Sequence, residues 1–253
     1  IAECPLKNVA IKFMLKNFLK KIIPKIALNT YRKIRREANY KKTYSIMKNL
    51  TLSQKFDYIY KNKFWGLDAN KKFYSGEGSH NPKMINPYIE VIKNFLTQLS
   101  SPVVVDLGCG DFNIGSKFLH LTKKYHGIDI VEDLINFNKA NFKNEDLVFL
   151  KLDITKDPLP QADVCMVRQV LQHLSNENIF SFIKNIKGKY RFLIVTEHLP
   201  RGNFKANYDI KISPDIRQLF NSGVVLSKPP FNLKFESSKI LLRVDGDVDE
   251  SII

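Results

Sequence analysis

Short apolar runs alternate with segments of helical spacing through the middle of the chain. The apolar runs predict five strands, at 102–106, 125–129, 147–152, 163–167 and 191–196. Between these runs, apolar residues recur every three to four positions and predict helices near 112–123, 131–142 and 176–187. Strands that alternate with helices form parallel sheets with helices on both faces. The pattern therefore predicts an α/β fold built on a doubly wound, mostly parallel sheet.

The flanking segments predict further elements. A helix at 85–99 leads directly into the first strand. The run KILLRV at 239–244 predicts a late antiparallel strand, one half of a hairpin whose partner would start near Ser251, with the sequence stopping within that partner. We therefore expect three regions: a basic helical extension at 1–50, a helical lid or cap at 51–98, and a main domain at 99–253.

Positive charge is concentrated near the start of the chain. Of a net charge of +15, residues 1–48 carry +11, from ten lysines and three arginines against two glutamates. Apolar residues before Pro24 recur at helical spacing between lysines, and the segment NTYRKIRREANYKKTY is also expected to be helical. We interpret the first stretch as a helix that packs its apolar side on the core. The alternative is weak contact with a membrane surface through this basic helix.

Cysteines and histidines are scattered, without metal-ligand spacing. The cysteines are Cys4, Cys109 and Cys165, an odd number with no CxxC pair. Widely spaced cysteines are typical of a reducing compartment and do not indicate a disulfide framework or a zinc site. Lysines interrupt the early apolar stretch, so no signal peptide is predicted. We expect a cytoplasmic protein without a metal, with a peripheral position at the inner face of the membrane as the alternative.

One stretch, VVVDLGCGDFNIG at 103–115, predicts a strand that ends in a glycine turn. Glycines permit a sharp turn and let a ligand lie against bare backbone. Asn113 stands where a dinucleotide-binding turn has its third glycine, and Asp111 places a carboxylate near the expected helix start, where it would repel phosphate. The turn therefore favours a cationic or zwitterionic ligand over a dinucleotide.

Three predicted strands each end in an aspartate. Asp106 ends the first, Asp129 the second and Asp153 the third. An acid at the second strand end is positioned to accept hydrogen bonds from ribose hydroxyls, and one at the third to accept a bond from an adenine amine. A helix cap is the usual alternative for any one of them. Together the three acids indicate a site for adenosine.

These motifs resemble those of the class I S-adenosylmethionine-dependent methyltransferases. VVDLGCGDFNIG is similar to the glycine-rich first motif, HGIDI to the ribose motif, LKLDI to the adenine motif and ADVCMVRQVLQHLSNENI to the fourth-strand motif, over about 99–200. The resemblance implies a Rossmann-like methyltransferase sheet, with S-adenosyl-L-methionine as cofactor and S-adenosyl-L-homocysteine as product. The flanks YSGEGS and SGVVLSKPPF resemble a bacterial subgroup associated with surface-polysaccharide gene clusters.

The resemblance also implies a set of cofactor-binding residues. The first motif would wrap the methionine portion of the cofactor, and the residue after strand four would offer its carbonyl to the amino group. Three polar residues of the lid, Tyr74, Ser75 and Ser79, are expected to reach the cofactor carboxylate. The remaining expected cofactor residues are Asp106, Gly108, Cys109, Gly110, Asp129, Ile130, Asp153, Ile154, Arg168 and Gln169.

Two histidines are the candidates for a catalytic base. A hydroxyl acceptor needs a base to remove its proton, and a histidine would do so near an unperturbed pKa of about 6.5. His173 follows the fourth strand and His198 the fifth, so both are expected at neighbouring strand ends. We prefer His198, beside Glu197, as the base, and expect His173 to hold the methionine end of the cofactor. Each histidine alone is more often a structural hydrogen-bond partner.

The sequence therefore predicts an enzyme that methylates an oxygen of a small anionic or sugar-containing acceptor, a small molecule or glycan precursor. A sugar hydroxyl, a phosphoryl or phosphoramidate oxygen and an amine all stay open as acceptors. One alternative is a nucleic-acid methyltransferase, but VRQVLQHL lacks the Asn/Asp-Pro-Pro-aromatic run used on base amines, so nucleic acid is not the expected partner. The other is a non-catalytic module that only binds the cofactor. No oligomeric state is predicted.

Overall fold

Five parallel strands form the central sheet. The computed structural model describes residues 25–69, 71–245 and 251–252 of the chain. The strands, in the spatial order β3-β2-β1-β4-β5, are β1 (Val103–Leu107), β2 (Lys124–Asp129), β3 (Leu147–Lys151), β4 (Val164–Arg168) and β5 (Phe192–Thr196). All neighbours in this order pair in parallel. The predicted parallel α/β sheet is confirmed, and each strand lies within two residues of its predicted bounds.

Five α-helices lie within the described part of the chain. They are α1 (Lys25–Met47), α2 (Leu52–Lys61), α3 (Pro82–Gln98), α4 (Glu132–Asn141) and α5 (Asn176–Ile186). Local capping fixes several helix starts. Thr51 and Gln54 form a reciprocal capping box at α2, and the side chain of Asn81 caps α3, whose first residue is Pro82. Because of this cap, α3 begins three residues earlier than the apolar spacing predicts.

The chain divides into units of residues 1–45 and 46–253. The described part of the first unit, 25–45, is helical and rich in lysine and arginine. The amphipathic stretch before Pro24 lies outside the described residues. Within those residues, no helix is long and apolar enough to cross a bilayer.

Burial alternates along the central strands. Val105 and Leu107 of β1 lie in one apolar cluster, whereas Val104 lies in the cluster on the other face. This period of two is the ordinary geometry of a strand whose two faces are both covered. Because all five strands are parallel, their carboxyl ends meet at one edge of the sheet, which we call the carboxyl edge.

The helix predicted at 112–123 is wrong. This segment contains two short 3-10 helices, Gly115–Lys117 and Leu119–Leu121, instead of a regular α-helix. Phe112 has a φ of +60°, which a right-handed helix does not accept. The ring of Phe112 also fills the space beside Gly115, where an added Cβ would lie 2.4 Å from it. Packing of Phe112 in the core therefore overrides the helical spacing.

The strand predicted at 239–244 is also wrong. These residues form no strand, and Ile240 and Leu241 are 65% and 37% exposed, so their apolar side chains have no sheet to pack on. The antiparallel pairing at the end of the chain instead joins β6 (Leu199–Pro200) and β7 (Ser251–Ile252). This pair is separate from the five-stranded sheet.

Candidate active site

The turn after β1 is held tightly against the protein. Gly108 and Gly110 have φ values of +84° and +56°, and the N–H groups of Gly108 and Cys109 both donate to the carbonyl of Ile128, at 2.8 and 2.9 Å. A Cβ at Gly108 would lie 2.3 Å from Val170 Cγ2, and one at Gly110 would lie 2.5 Å from Ser75 Oγ. A side chain at either position would collide with protein atoms, namely Val170 after β4 or Ser75 of the predicted lid. Contacts within the protein therefore require both glycines, whether or not a ligand also lies against the turn.

Two buried aspartates lie beside this turn. Asp129 Oδ2 accepts from Gly110 N at 3.2 Å, and its Oδ1 accepts from Val131 N at 3.0 Å. Asp106 Oδ2 accepts from the hydroxyl of Tyr125 at 2.9 Å. Burial raises the pKa of each carboxyl to about 6, although these hydrogen bonds oppose the rise. The predicted ribose acid therefore lies directly against the glycine turn.

The residue after Asp129 is held by helix α2. The carbonyl of Ile130 accepts a hydrogen bond from the hydroxyl of Ser53 at 3.1 Å. The region 51–98, predicted as a lid or cap, therefore reaches the end of β2 as well as the glycine turn.

The aspartate after β3 has a local role. Asp153 Oδ1 accepts from the backbone N and the hydroxyl of Thr155, at 2.9 and 2.6 Å, and its Oδ2 lies 3.4 Å from Lys156 Nζ. The carbonyl of Ile154 accepts from Asn185. Asp153 thus caps the turn that follows β3, the alternative reading of such an acid. Its contact with adenine stays a prediction.

The segment predicted as a lid contacts the glycine turn through Asp111. Ser75 N donates to Asp111 Oδ2 at 3.2 Å, and Asp111 N donates to Ser75 Oγ at 2.9 Å. His80 Nε2 lies 2.6 Å from Asp111 Oδ2, and the His80 ring stacks on Tyr74 with a centroid distance of 4.4 Å. The carboxylate expected to repel phosphate is therefore occupied by lid groups. The role of His80 was missed because it depends on contact between distant segments.

The three predicted lid hydroxyls all have protein partners. Tyr74 donates to Glu77 Oε1 at 2.5 Å, and Ser75 Oγ lies 3.0 Å from the hydroxyl of Tyr60. Ser79 Oγ accepts from Arg168 Nη1 at 3.2 Å. None of these contacts tests whether the lid reaches the cofactor carboxylate, which stays a prediction.

Arg168 contributes its side chain as well as its backbone. The buried guanidinium donates to the Gly78 carbonyl and to Ser79, and lies 4.9 Å from the centroid of the Tyr88 ring. Asn113, in the place of the third glycine, donates to the Ser79 carbonyl at 2.7 Å. The resemblance implied a role only for the carbonyl of Arg168. Its guanidinium ties the end of β4 to the lid.

The two candidate base histidines lie at the ends of β4 and β5. His198 Nδ1 is 2.9 Å from Gln172 Oε1, which also accepts from His198 N at 3.2 Å. Because an amide oxygen only accepts, Nδ1 carries the proton and the lone pair is on Nε2. His198 Nε2 makes no hydrogen bond within the described residues. The imidazole is therefore oriented as a base would need to be.

The surroundings of both histidines favour the neutral ring. Burial, together with the charge of Arg168, lowers the pKa of His198 to about 4. Burial also lowers the pKa of His173 to about 4, and its ring packs 5.1 Å from that of Trp65. The expected titration near 6.5 is therefore wrong for these sites, since both rings are neutral above about pH 5.

Two buried ionisable groups hold the loop after β4. The carboxyl oxygens of Glu197 each accept a backbone hydrogen bond at 3.0 Å, from Leu171 N and Gln172 N. Burial raises the pKa of Glu197 to about 8. Arg217, which is fully buried, donates to the carbonyls of Leu171, Gln172, Leu174 and Tyr208 and to Asn176 Oδ1. Glu197 is therefore an anchor for this loop, and the role of Arg217 was missed.

Two amides beside the turn have unused atoms. Asn138 donates to the Gly110 carbonyl at 2.7 Å and lies 3.9 Å from Cys109 Sγ. Asn138 Oδ1 and Gln169 Nε2 are buried without a hydrogen-bond partner in the described part of the chain. Gln169 itself adopts a φ of +57° after β4. Among the described residues, no cluster of His, Cys, Asp or Glu could hold a metal ion.

Comparisons with known proteins place part of this region in a known family. Residues 104–190, from β1 to the end of α5, match a family model described as a methyltransferase domain. No curated protein matches the sequence.

Solved structures that resemble the chain do so over part of their length. N-methyltransferase NodS from Bradyrhizobium japonicum WM9, with S-adenosyl-L-homocysteine, is 16% identical, with a TM-score of 0.43 over 52% of this chain and 69% of that one. Magnesium protoporphyrin IX methyltransferase from Synechocystis PCC 6803 is 16% identical, with a TM-score of 0.44 over 58% and 71%. The plantazolicin methyltransferase BpumL is 18% identical, with a TM-score of 0.39 over 64% and 57%.

The parallel sheet and the family match define the class of protein. The strand order and the carboxyl edge are those of a Rossmann-like methyltransferase fold. Residues 104–190 form a methyltransferase domain on this sheet, so the chain is a methyltransferase. S-adenosyl-L-methionine is the methyl donor that the resemblance implies.

The residues at the carboxyl edge fit this cofactor. Asp106 and Asp129 are buried carboxyls whose pKa values are raised by burial, so a positively charged ligand beside them would favour their ionised forms. The unused Asn138 Oδ1 offers an acceptor beside the glycine turn, and the unused Gln169 Nε2 offers a donor on the residue that follows β4. These groups match a ligand that carries both a sulfonium and polar hydrogen-bonding atoms.

Proposed function

We propose that the protein methylates an oxygen atom of a small anionic or sugar-containing acceptor in surface-polysaccharide biosynthesis. The observation that carries the choice of oxygen is the His198–Gln172 pair. Gln172 accepts from His198 Nδ1–H, so the lone pair is on Nε2, which makes no hydrogen bond within the described residues. A hydroxyl needs such a proton acceptor as the new bond to carbon forms.

The proposed division of roles follows the two sides of the carboxyl edge. Asp129 and the turn at Gly108–Gly110 would hold the cofactor, with Asp106 beside them. S-adenosyl-L-methionine, when bound, supplies an electrophilic methyl group on a sulfonium. On the other side, His198 would take the acceptor proton, while Glu197 and Gln172 hold the loop and the ring in position. Methyl transfer also benefits from close positioning of the acceptor and from exclusion of water.

The link to surface polysaccharides rests on the resemblance of the two flanking motifs to a bacterial subgroup. YSGEGS forms the part of the lid that contacts Asp111 and Arg168. SGVVLSKPPF is held by the buried side chain of Asn207, which makes four hydrogen bonds to Val225, Lys228 and Pro229. The segments that carry the subgroup resemblance are thus integral parts of this fold.

A mass-spectrometric screen tests the proposed function. The full chain is incubated with S-adenosyl-L-methionine and a panel of nucleotide-linked sugars, sugar phosphates, amines and RNA. We expect a mass gain of one CH2 group on an oxygen of a sugar-containing acceptor. The Asp129→Ala variant, which would lose cofactor affinity, is the matched control for chemical methylation. Methylation of an amine or of RNA instead, at physiological salt, would overturn the proposal.

A further inference from the structure

A basic cleft opens on the lid side of helix α2. The cleft is open to solvent and lies between the end of α2 and the segment that leads to Tyr74. Three lysines and several aromatic side chains share this cleft: Lys63, Lys71, Lys72, Tyr60, Trp65 and Phe73. The methyltransferase family match begins at residue 104, so the cleft lies wholly outside it.

The lysines of the cleft differ in how they are paired. Lys71 Nζ lies 2.8 Å from His80 Nδ1 and 3.9 Å from Asp68 Oδ2. Lys72 Nζ lies 5.7 Å from the centroid of the Phe73 ring and, like Lys63, has no carboxylate partner among the described residues. Two lysines without a carboxylate partner among the described residues line this one cleft, and each would gain a charge-assisted hydrogen bond if an anion bound there.

Aromatic rings form the wall behind these lysines. The Tyr60 ring packs edge-on against Trp65 at 5.0 Å and against Phe73 at 5.9 Å between centroids. Trp65 is fixed by a hydrogen bond of 3.2 Å from its Nε1 to the Pro214 carbonyl. A rigid aromatic wall beside free ammonium groups is suited to a ligand that combines a planar or ring portion with a phosphoryl group.

The wall also separates the cleft from the carboxyl edge by one layer of side chains. The hydroxyl of Tyr60 is 3.0 Å from Ser75 Oγ, which accepts from Asp111 N of the glycine turn. On its other side, Trp65 packs against His173 at 5.1 Å between ring centroids. A molecule in the cleft therefore lies next to the residues proposed to hold the cofactor and the acceptor.

We infer that this cleft binds the phosphoryl group of the methyl acceptor, through Lys63 and Lys72. The inference rests on the proposed function and narrows it to a phosphorylated acceptor, such as a nucleotide-linked sugar. Phosphate is bound by lysine as a point charge, without the fixed geometry of an arginine fork. The exposure of both lysines suits a subsite that binds the substrate away from the reacting oxygen.

Trp65 gives a direct measurement of binding. It is the only tryptophan of the chain, so fluorescence changes report on this wall. Uridine diphosphate, inorganic phosphate and uridine are titrated into the full chain, first alone and then with S-adenosyl-L-homocysteine. We expect saturable binding of uridine diphosphate, weaker binding of phosphate, and none of uridine at the same concentrations. Equal binding of uridine and uridine diphosphate, or no binding of either, would overturn the inference.

A double variant tests the two lysines. Lys63→Ala/Lys72→Ala is expected to weaken uridine diphosphate binding at least about tenfold. Lys117→Ala/Lys139→Ala removes the same charge from exposed positions outside the cleft and should change binding less than about twofold. Unchanged affinity of the cleft variant, or an equal loss in both variants, would contradict a specific site. Stronger binding of an RNA oligonucleotide than of uridine diphosphate would assign the cleft to nucleic acid instead.

Failure of the inference and failure of the proposed function give different results. If uridine diphosphate binds through Lys63 and Lys72 but no sugar-containing acceptor is methylated, the cleft inference is supported and the proposed function is contradicted. If a phosphorylated sugar is methylated with an unchanged KM in the cleft variant, the proposed function is supported and the cleft inference is contradicted. Unchanged affinity for S-adenosyl-L-homocysteine shows that the cleft variant is folded.

Discussion

The two sides of the carboxyl edge are built from contacts of different range. At the ends of β2 and β3, each aspartate binds backbone N–H groups nearby, as Asp129 does at Val131 and Asp153 at Thr155. At the ends of β4 and β5, the partners lie far apart in sequence, as when Glu197 binds Leu171 N. The first side combines contacts within its own turns with longer ones, such as the bond from Gly110 N to Asp129 Oδ2, whereas the second depends on side chains brought together only in the folded chain.

We interpret the β2–β3 side as suited to cofactor binding and the β4–β5 side as suited to catalysis. Short-range contacts fix a turn whatever the rest of the fold does, which suits a cofactor site used by many enzymes. On the other side, the positions of Glu197 and His198 depend on contacts with Gln172, which lies in the loop after β4, far from both in sequence. We therefore expect substitutions on the β4–β5 side to have the larger effects on turnover and on stability.

The largest expected effect is at His198. With a hydroxyl acceptor, His198→Gln should lower kcat by ~10²–10⁴-fold and leave cofactor affinity nearly unchanged, because the variant lacks the proton acceptor. Since burial lowers the pKa of His198 to about 4, the wild-type rate should not vary with the charge of this ring between about pH 6 and 8.

Steady-state kinetics over this pH range provides the measurement, and His120→Gln, at an exposed position, is the control. A His198→Gln enzyme with near-normal kcat on a hydroxyl acceptor would remove His198 as the base. Loss of cofactor affinity in the same variant would instead indicate that His198 helps to hold the cofactor.

Arg217 is expected to have the largest effect on stability. Its fully buried guanidinium serves five acceptors, four of them backbone carbonyls of the loop after β4 and of Tyr208. Arg217→Met should lower the free energy of unfolding by about 3–5 kcal/mol, because several of those carbonyls would lose their donor while they stay buried. Urea unfolding measures the loss, with the exposed Arg191→Met as control. A loss below about 1 kcal/mol would mean that water replaces the guanidinium and that the loop does not depend on it.

The same contrast explains what the sequence could and could not predict. The strands and the Asp129 site follow from apolar runs and from residues adjacent in sequence, so periodicity finds them. The helix predicted at 112–123 failed because Phe112 packs into the core and Asn113 binds the lid. The roles of His80, Arg168 and Arg217 depend on partners from 31 to 90 residues away, and no local pattern marks them.

The acid sensitivity of stability should depend on His173. Its pKa is lowered by burial to about 4 in the folded chain, against about 6.5 when unfolded. Below pH 6.5 the unfolded state therefore binds a proton that the folded state does not, and the wild type loses stability as the pH falls towards 4. The stability of the wild type relative to His173→Gln should decrease by roughly 3 kcal/mol over this range.

Urea unfolding at several pH values measures this difference. The buried carboxyls Asp106, Asp129 and Glu197, whose raised pKa values give the opposite pH dependence, are present in both proteins and cancel. A difference that is constant from pH 7.5 to 4 would show that the pKa of His173 is the same in the folded and unfolded states.

The smallest expected effect compares the two acids of the short-range side. At pH 8, Asp129→Ala should weaken S-adenosyl-L-homocysteine binding by about 1.5–3 kcal/mol, the usual loss when hydrogen bonds to an ionised acceptor are removed. Asp153→Ala should have a smaller effect on affinity, because the hydrogen bonds of Asp153 Oδ1 go to Thr155 within its own turn. Calorimetry on both variants, with Asp146→Ala at the exposed turn before β3 as control, gives the two values. Equal losses at Asp129 and Asp153 would mean that both acids bind the cofactor, as the resemblance implies. Unchanged affinity in Asp129→Ala would contradict the ribose assignment and remove the distinction between a binding side and a chemical side.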